Sequence, residues 1–385
     1  MFEKAITGSR RYWSWIVLLG LVIGAGFVFY LRQWSYGLAI TGMSRDVSWG
    51  LYIANFTFLV GVAASAVMVV LPYYLHNYKE FGRITVLGEF LAVAAVAMCI
   101  LFIFVDLGQP ARVFNIMFHP SPNSILFWDM IVLSVYLLLN IVIAWCTLDS
   151  ERKEEPPITW VKPLIYISIP WAISIHTVTA FIYNGLEARP FWLTALLAPR
   201  FLASAFCSGP ALLIIVSLMI RRFTKFDPGW EAIQKVAQIV TYALLTTMFF
   251  LLLEVFTVYY SGVPEHMAHF RYLLFGVEGQ AKLVPWIWTS IVLAVFALVV
   301  LINPATRRKE SLLAPACVAV FISIWIDKGL GLVVPGFIPS PTGEVFEYWP
   351  TAPEVLITLG VWALGFLVLS VLYKIAVAVK EEISA

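Results

Sequence analysis

The sequence predicts an all-α polytopic membrane protein with about ten transmembrane helices. Three observations carry that expectation. The 385 residues are 61% hydrophobic and only 12% charged. Mean hydropathy is +0.88. Apolar stretches of membrane length recur along the chain, separated by short segments rich in charge, proline or glycine. Such a composition excludes an ordinary soluble domain, and a net charge of +2 gives no reason to expect nucleic acid. The first partner implied is membrane lipid.

In order, the candidate spans are residues 12–31, 50–75, 90–105, 130–148, 163–186, 201–220, 236–260, 283–306, 311–326 and 355–373. A crossing helix needs about 20 mostly apolar residues. The runs 90–105 and 311–326 reach that length only if Asp106 and Asp327 sit near the boundary. The first run follows Lys4, Arg10 and Arg11 but is too long for a signal peptide and has no clear small-residue cleavage site, so it reads as a retained helix with Trp13 and Trp15 as interfacial anchors. Gly20-xxx-Gly24 within it matches a close-packing motif, as chance also would.

With ten spans, 17 of the 25 Lys and Arg residues fall on the side holding both termini. The positive-inside rule then places both termini in the cytoplasm and the chain in the cytoplasmic membrane. A single integral membrane domain fills residues 1–385, and 329–353 forms the last external loop. That loop contains Pro335, Gly336, Pro339, Pro341, Gly343, Pro350 and Pro353, so it cannot be a regular helix. Interleaved Phe337, Phe346, Tyr348 and Trp349 make it a candidate partner contact.

Ionisable groups at membrane depth are costly and mark candidate sites. Asp106 ends the third run, Asp129 opens the fourth, His176 and Glu254 lie past the middle of the fifth and seventh, and Asp327 ends the ninth. All fall in the external half. Glu89, at the inner start of the third helix, is the exception. His176, Tyr183 and Glu187 are spaced to lie within roughly 20° of one line on a helix, flanked by Thr179. Thr247, Glu254, Thr257 and Ser261 repeat such a stripe. Interhelical packing bonds account for the hydroxyls; His176 and Glu254 point to chemistry. A quinone head group needs hydrogen bonds to its oxygens and groups that exchange protons, and an Asp/His pair lined by aromatics offers both.

Cys99, Cys146, Cys207 and Cys317 are scattered without C-x-x-C spacing, which argues against an iron–sulfur cluster or zinc ribbon. Of five histidines only His176 is clearly intramembrane, which argues against bis-histidine haem. His266 and His269 read as a solvated loop pair, with no metal expected. Electrons, if handled, must come from a partner.

Asp106-Leu-Gly-Gln-Pro-Ala-Arg112, followed by Phe118-His119-Pro120 and Ser124, resembles the third-helix exit motif of the NrfD/PsrC family of membrane subunits of polysulfide-reductase-like complexes. Trp49-Gly50 leading into Gly61-Val-Ala-Ala-Ser65 is similar to that family's second helix. Arg189-Pro-Phe-Trp192, Pro199-Arg-Phe-Leu-Ala-Ser-Ala205 and Gly209 resemble its stretch entering helix six. Together these segments cover roughly residues 45–220. Ten spans resemble the longer family members, most of all the DsrP branch of sulfur-metabolising complexes, with the HmcC, QrcD and alternative-complex-III branches close to it.

The resemblance implies two four-helix bundles, helices 2–5 and 6–9, flanked by helices 1 and 10. It implies no cofactor held by the chain, a menaquinone site near the external surface as substrate site, and a ferredoxin-like iron–sulfur subunit docked outside, with a multihaem cytochrome c and other membrane subunits as further partners. Asp106 and Arg112 carry over on the motif, and His176 matches the titratable position of helix five. Asp129 and Tyr183 join this candidate quinone site by placement alone. Arg112 would orient Asp106 or stabilise negative charge on the ring. Glu89, Glu254, Glu187 and Asp327 are candidates for a proton path. The expected function is a quinone-reactive subunit of a redox complex rather than an enzyme alone. A proton-coupled secondary transporter or a passive anchor for external redox subunits are the alternatives.

Overall fold

A computed structural model describes residues 3–155, 158–340 and 342–384. Ten helices are long and apolar enough to cross a membrane: Arg10–Ile40, Leu51–Leu75, Lys79–Asp106, Ile125–Lys153, Val161–Asn184, Leu197–Phe223, Trp230–Ser261, Val284–Ile302, Glu310–Phe337 and Ala352–Ile383. They are numbered spans 1 to 10. Number and order agree with the hydropathy pattern. Most boundaries extend further, because charged and aromatic residues continue the helices through the interfacial layer, but span 5 stops at Asn184 and span 8 at Ile302.

Spans 2–5 close a ring, each packing on the next and span 5 returning to span 2. Spans 6–9 close a second ring in the same way. Span 2 joins the rings by packing on spans 6 and 9. Spans 1 and 10 pack on each other, with span 10 against spans 3 and 4. Burial follows from this plan. Every residue from Leu51 to Val70 is buried, whereas span 1 is mostly exposed to the lipid side. The tight approach of spans 1 and 10 rests on Gly26 and Gly360, where a methyl on Gly26 would lie 2.8 Å from the Gly360 Cα. Gly20 and Gly24 face open space, so the GxxxG match is not the contact.

Span 2 turns at Ala64 between helices Leu51–Ala63 and Ser65–Leu75, with backbone bonds from Ala64 N to Gly61 O (3.1 Å) and Met68 N to Ala64 O (3.3 Å) carrying the chain across. Span 9 widens from helix Glu310–Ile324 into a π-helical turn, Trp325–Leu330. Such turns are frequent at functional sites.

The loop expected at 329–353 starts later. Helical turns run on through Gly331–Val333 and Pro335–Phe337, and residues 329–338 are buried. Of its aromatics, Phe337 and Tyr348 point inward while Phe346 and Trp349 are exposed. Pro341 lies outside the described residues. His266 and His269 are not in a loop but on helix Pro264–Phe275, and His269 is buried. Its Nδ1 lies 2.8 Å from the Pro335 carbonyl oxygen and 2.7 Å from that of Ile338, so it donates and ties this helix to the end of span 9.

Candidate functional site

Both rings carry ionisable groups towards the face on which spans 3 and 4 connect, called here the Asp106 face. In the first ring, Asp106 is the last residue of span 3, and its Oδ1 is buried without a hydrogen bond among the described residues. Gln33 Nε2 donates to the Val105 carbonyl at 2.6 Å, and Tyr52 OH donates to Gln33 Oε1 at 2.8 Å. Spans 1 and 2 thus hold the final turn that presents Asp106. Asp129, in the second turn of span 4, is buried and accepts from Thr179 Oγ1 at 2.8 Å. Four residues on along span 5, the Tyr183 hydroxyl meets Thr57 Oγ1 of span 2 in a short hydrogen bond. Trp49, Trp192 and Phe201 surround the Tyr183 ring at centroid distances of 5.5, 5.1 and 5.9 Å.

His176 lies one turn deeper than Thr179, about 12 Å from the end of its helix at 1.5 Å per residue. It is 1% exposed, and neither ring nitrogen has a partner among the described residues. An imidazole with two unused nitrogens inside a packed ring is unusual, since buried polar groups are nearly always hydrogen-bonded. His176 and Asp106 do not bond to each other. Asp106 and Asp129 are both within electrostatic reach of Tyr183.

Arg112 does not orient Asp106. It sits in the short turn Pro110–Arg112, is exposed, and makes no ion pair or side-chain hydrogen bond among the described residues. Glu187 leaves the expected stripe, because the helix ends at Asn184 and the chain turns at Gly185, which exposes it. Glu89 is not interfacial. It lies in the third turn of span 3, 1% exposed, with both carboxylate oxygens unpaired among the described residues and with Glu151 and Lys380 in electrostatic reach. Lys380 pairs with Glu151 at 2.7 Å.

The second ring arranges its charges differently. Arg200 of span 6 donates Nη1 to Glu254 Oε2 at 2.5 Å and Nη2 to Asp327 Oδ1 at 2.8 Å. One guanidinium therefore joins spans 6, 7 and 9. The adjacent Lys328 turns to the seam between the rings, where a methyl on Gly61 of span 2 would lie 3.2 Å from its Nζ. Its Nζ donates to the Phe201 carbonyl at 3.2 Å and stacks over the Phe201 ring at 4.3 Å. His176 is in its electrostatic reach. The π-helical turn carries Asp327 and Lys328, and sends one side chain to Arg200 and the other to the seam between the rings.

Sequence reasoning missed Arg200, Lys328, Gln33, Tyr52 and Glu354. Arg200 lies within the Pro199–Ala205 motif and among the cations of one side, so a signal existed. Glu354 had none beyond its charge. It is fully buried and accepts from the backbone nitrogens of Gly42 at 3.0 Å and Leu51 at 3.2 Å and from the Tyr348 hydroxyl. Its carboxylate thereby serves the first turn of span 2, whose preceding residue, Gly50, has no side chain to cap it.

With this geometry in view, the family comparison is decisive. The model for NrfD, polysulphide reductase, matches residues 39–335. The chain belongs to the NrfD family. Among curated relatives of this NrfD protein is one from Halobacterium salinarum, assigned by inference as a membrane component of dimethyl sulfoxide reductase, 28% identical over 93% of this chain and 89% of its own length. The Hdr-like menaquinol oxidoreductase integral membrane subunit of Archaeoglobus fulgidus is 22% identical over 99% of this chain and 97% of its own. The menaquinone reductase integral membrane subunit of Nitratidesulfovibrio vulgaris is 21% identical over 94% and 91%. All three of these relatives bear the name of a membrane subunit of an oxidoreductase, and two of the names specify menaquinol or menaquinone.

Proposed function

We propose that this NrfD protein exchanges electrons between menaquinone and an iron–sulfur subunit docked on the Asp106 face, which is the external face, with both termini in the cytoplasm of a cell whose cytoplasmic membrane holds the chain. The observation that carries the proposal is the pair of unpartnered groups in the first ring: Asp106 with a buried free oxygen and His176 with two free nitrogens. These residues fit a quinone head, which needs a donor or acceptor at each oxygen. A bound quinone supplies two-electron, two-proton chemistry at its ring oxygens. Asp106 and His176 would each hold or accept a proton at one such oxygen, with Tyr183 and Asp129, braced by Thr57 and Thr179, as the neighbouring polar groups. Arg112, exposed beside the span 3 exit, is available to the docked partner, as are Phe346 and Trp349.

The DsrP-like placement, with a multihaem cytochrome c and further membrane subunits as partners and a role in sulfur metabolism, belongs to the same proposal. It rests on chain length and on the Asp/His pattern. Glu89, buried near the other face, would form the cytoplasmic end of a proton path. Glu254 and Asp327 are held by Arg200 and would serve such a path only if that triad opens.

A secondary transporter is less well supported. That class joins broken helices at the site, whereas the turn at Ala64, between Ala63 and Ser65, has no ionisable residue beside it. The test is quinol-linked turnover of the assembled complex. Asp106→Asn and His176→Ala should each abolish it while the subunits still co-purify. Full turnover in both variants would overturn the assignment.

A further inference from the structure

The second ring contains a cavity of about 210 Å³ on the Asp106-face half, between spans 7, 8 and 9 and beneath helix Pro264–Phe275. Its wall is apolar, built by residues such as Val255, Leu274, Ile291 and Ala294. Leu252 stands at the mouth, 63% exposed to the lipid side. A ligand therefore enters sideways from the bilayer.

Most polar groups of the lining are already used. Thr247 donates to the Ala243 carbonyl at 2.8 Å, and Ser290 and Ser323 each donate to the other's carbonyl at 2.9 Å. The remaining polar wall is Arg200 with Asp327. The guanidinium has five N–H donors and commits two to its carboxylates, and Asp327 keeps lone pairs free on its second oxygen. One end of the cavity thus offers a donor and an acceptor side by side.

Charge and shape then select the occupant. One arginine and two carboxylates sum to −1 when ionised, and Lys328, in electrostatic reach of Asp327 and Arg200, brings the sum to zero, so no surplus positive charge draws a phosphate or carboxylate head. An alkyl chain alone would leave the polar wall unanswered, at the usual cost of an unpaired buried polar group. A cavity of about 150 Å³ is enough for benzene, so this one accommodates a substituted ring.

We propose that the second ring binds a neutral, membrane-soluble ring carrying carbonyl or hydroxyl oxygens, of the quinone class, with its head against Arg200–Asp327 and its tail leaving past Leu252. This site is separate from Asp106 and His176 and does not depend on their assignment.

The test is equilibrium binding of a short-chain naphthoquinone to the intact complex in lipid nanodiscs. Two classes of site are expected. Leu252→Trp at the mouth and Ala294→Phe in the wall should each weaken one class by about tenfold or more, as overfilling a packed site does. Asp106→Asn should leave that class untouched. Leu252→Trp lies on the lipid side and keeps the test valid if Ala294→Phe fails to fold. A single class in the wild type that responds only to Asp106→Asn overturns the proposal. So does retention of both classes in Leu252→Trp, or a phospholipid that native mass spectrometry finds at the site and that the naphthoquinone does not displace. Loss of the cavity class in Leu252→Trp supports the proposal even if Asp106→Asn changes nothing, in which case the first-ring reading alone fails.

Discussion

The two helix rings bury comparable numbers of ionisable side chains and treat them in opposite ways. In the first, Asp106 and His176 lack ion partners and leave polar atoms unsatisfied. In the second, Glu254 and Asp327 are locked to Arg200. Burying a charge without compensation is costly, so unpartnered groups persist where something else uses them. Paired groups hold helices together and can present a polar wall to a ligand without exchanging protons. The contrast supports the proposed quinone chemistry in the first ring, and gives the second ring cohesion together with the proposed ligand wall.

The comparison breaks most visibly at its extremes. Asp106→Asn or His176→Ala should cut quinol turnover by about 10²-fold or more, the contribution general acid–base groups make, with little change in thermal stability. Stopped-flow quinol oxidation alongside a melting curve reads both. Arg200→Met should do the reverse in origin: it strands two buried carboxylates and should cost about 3–5 kcal/mol of stability. Unfolding in mixed micelles would show this, and the triple variant Arg200→Met/Glu254→Gln/Asp327→Asn should recover most of the loss. If the triple variant unfolds as easily as the single one, the triad's role is not charge pairing.

A smaller effect is expected at Glu354. Glu354→Gln keeps the shape but removes the charge at the first turn of span 2, and should cost about 1.5–3 kcal/mol, the range of hydrogen bonds to charged groups. Tyr52→Phe, which frees Gln33 and so the last turn before Asp106, should alter the pH profile of turnover more than it alters stability.

The smallest effect concerns pH. Burial holds the His269 imidazole below its ordinary value of about 6.5. The folded protein therefore binds fewer protons there than the unfolded chain. Its contribution to stability is complete above about pH 6.5 and is lost as pH falls further. The melting temperature should drop between pH 7.5 and 5.5 by more in the wild type than in His269→Gln.

Much of this architecture was legible in the chain. Span number, order and the clustering of Asp106, Asp129, His176, Glu254 and Asp327 in one half follow from hydropathy, because a bilayer forces apolar length on every crossing. Glu187 was misread because helical periodicity carries no information on where a helix stops, and the turn at Gly185 ends the stripe. Arg112 was misread because a short sequence separation from Asp106 does not bring a side chain back across a proline turn. Glu89 reads as the inner start of the third helix because its run was measured from apolar residues alone, whereas span 3 begins at Lys79.

Hydropathy alone dictates which residues must lie in lipid and which groups are costly there, and the exit motif points to the family. Which costly groups are offset by a partner is a matter of packing. Arg200 meets Glu254 54 positions away and Asp327 127 positions away, and Glu354 reaches Leu51 across 303. Hydropathy is a property of each segment against its solvent. Pairing depends on how segments pack on one another, and that is settled only when the rings close.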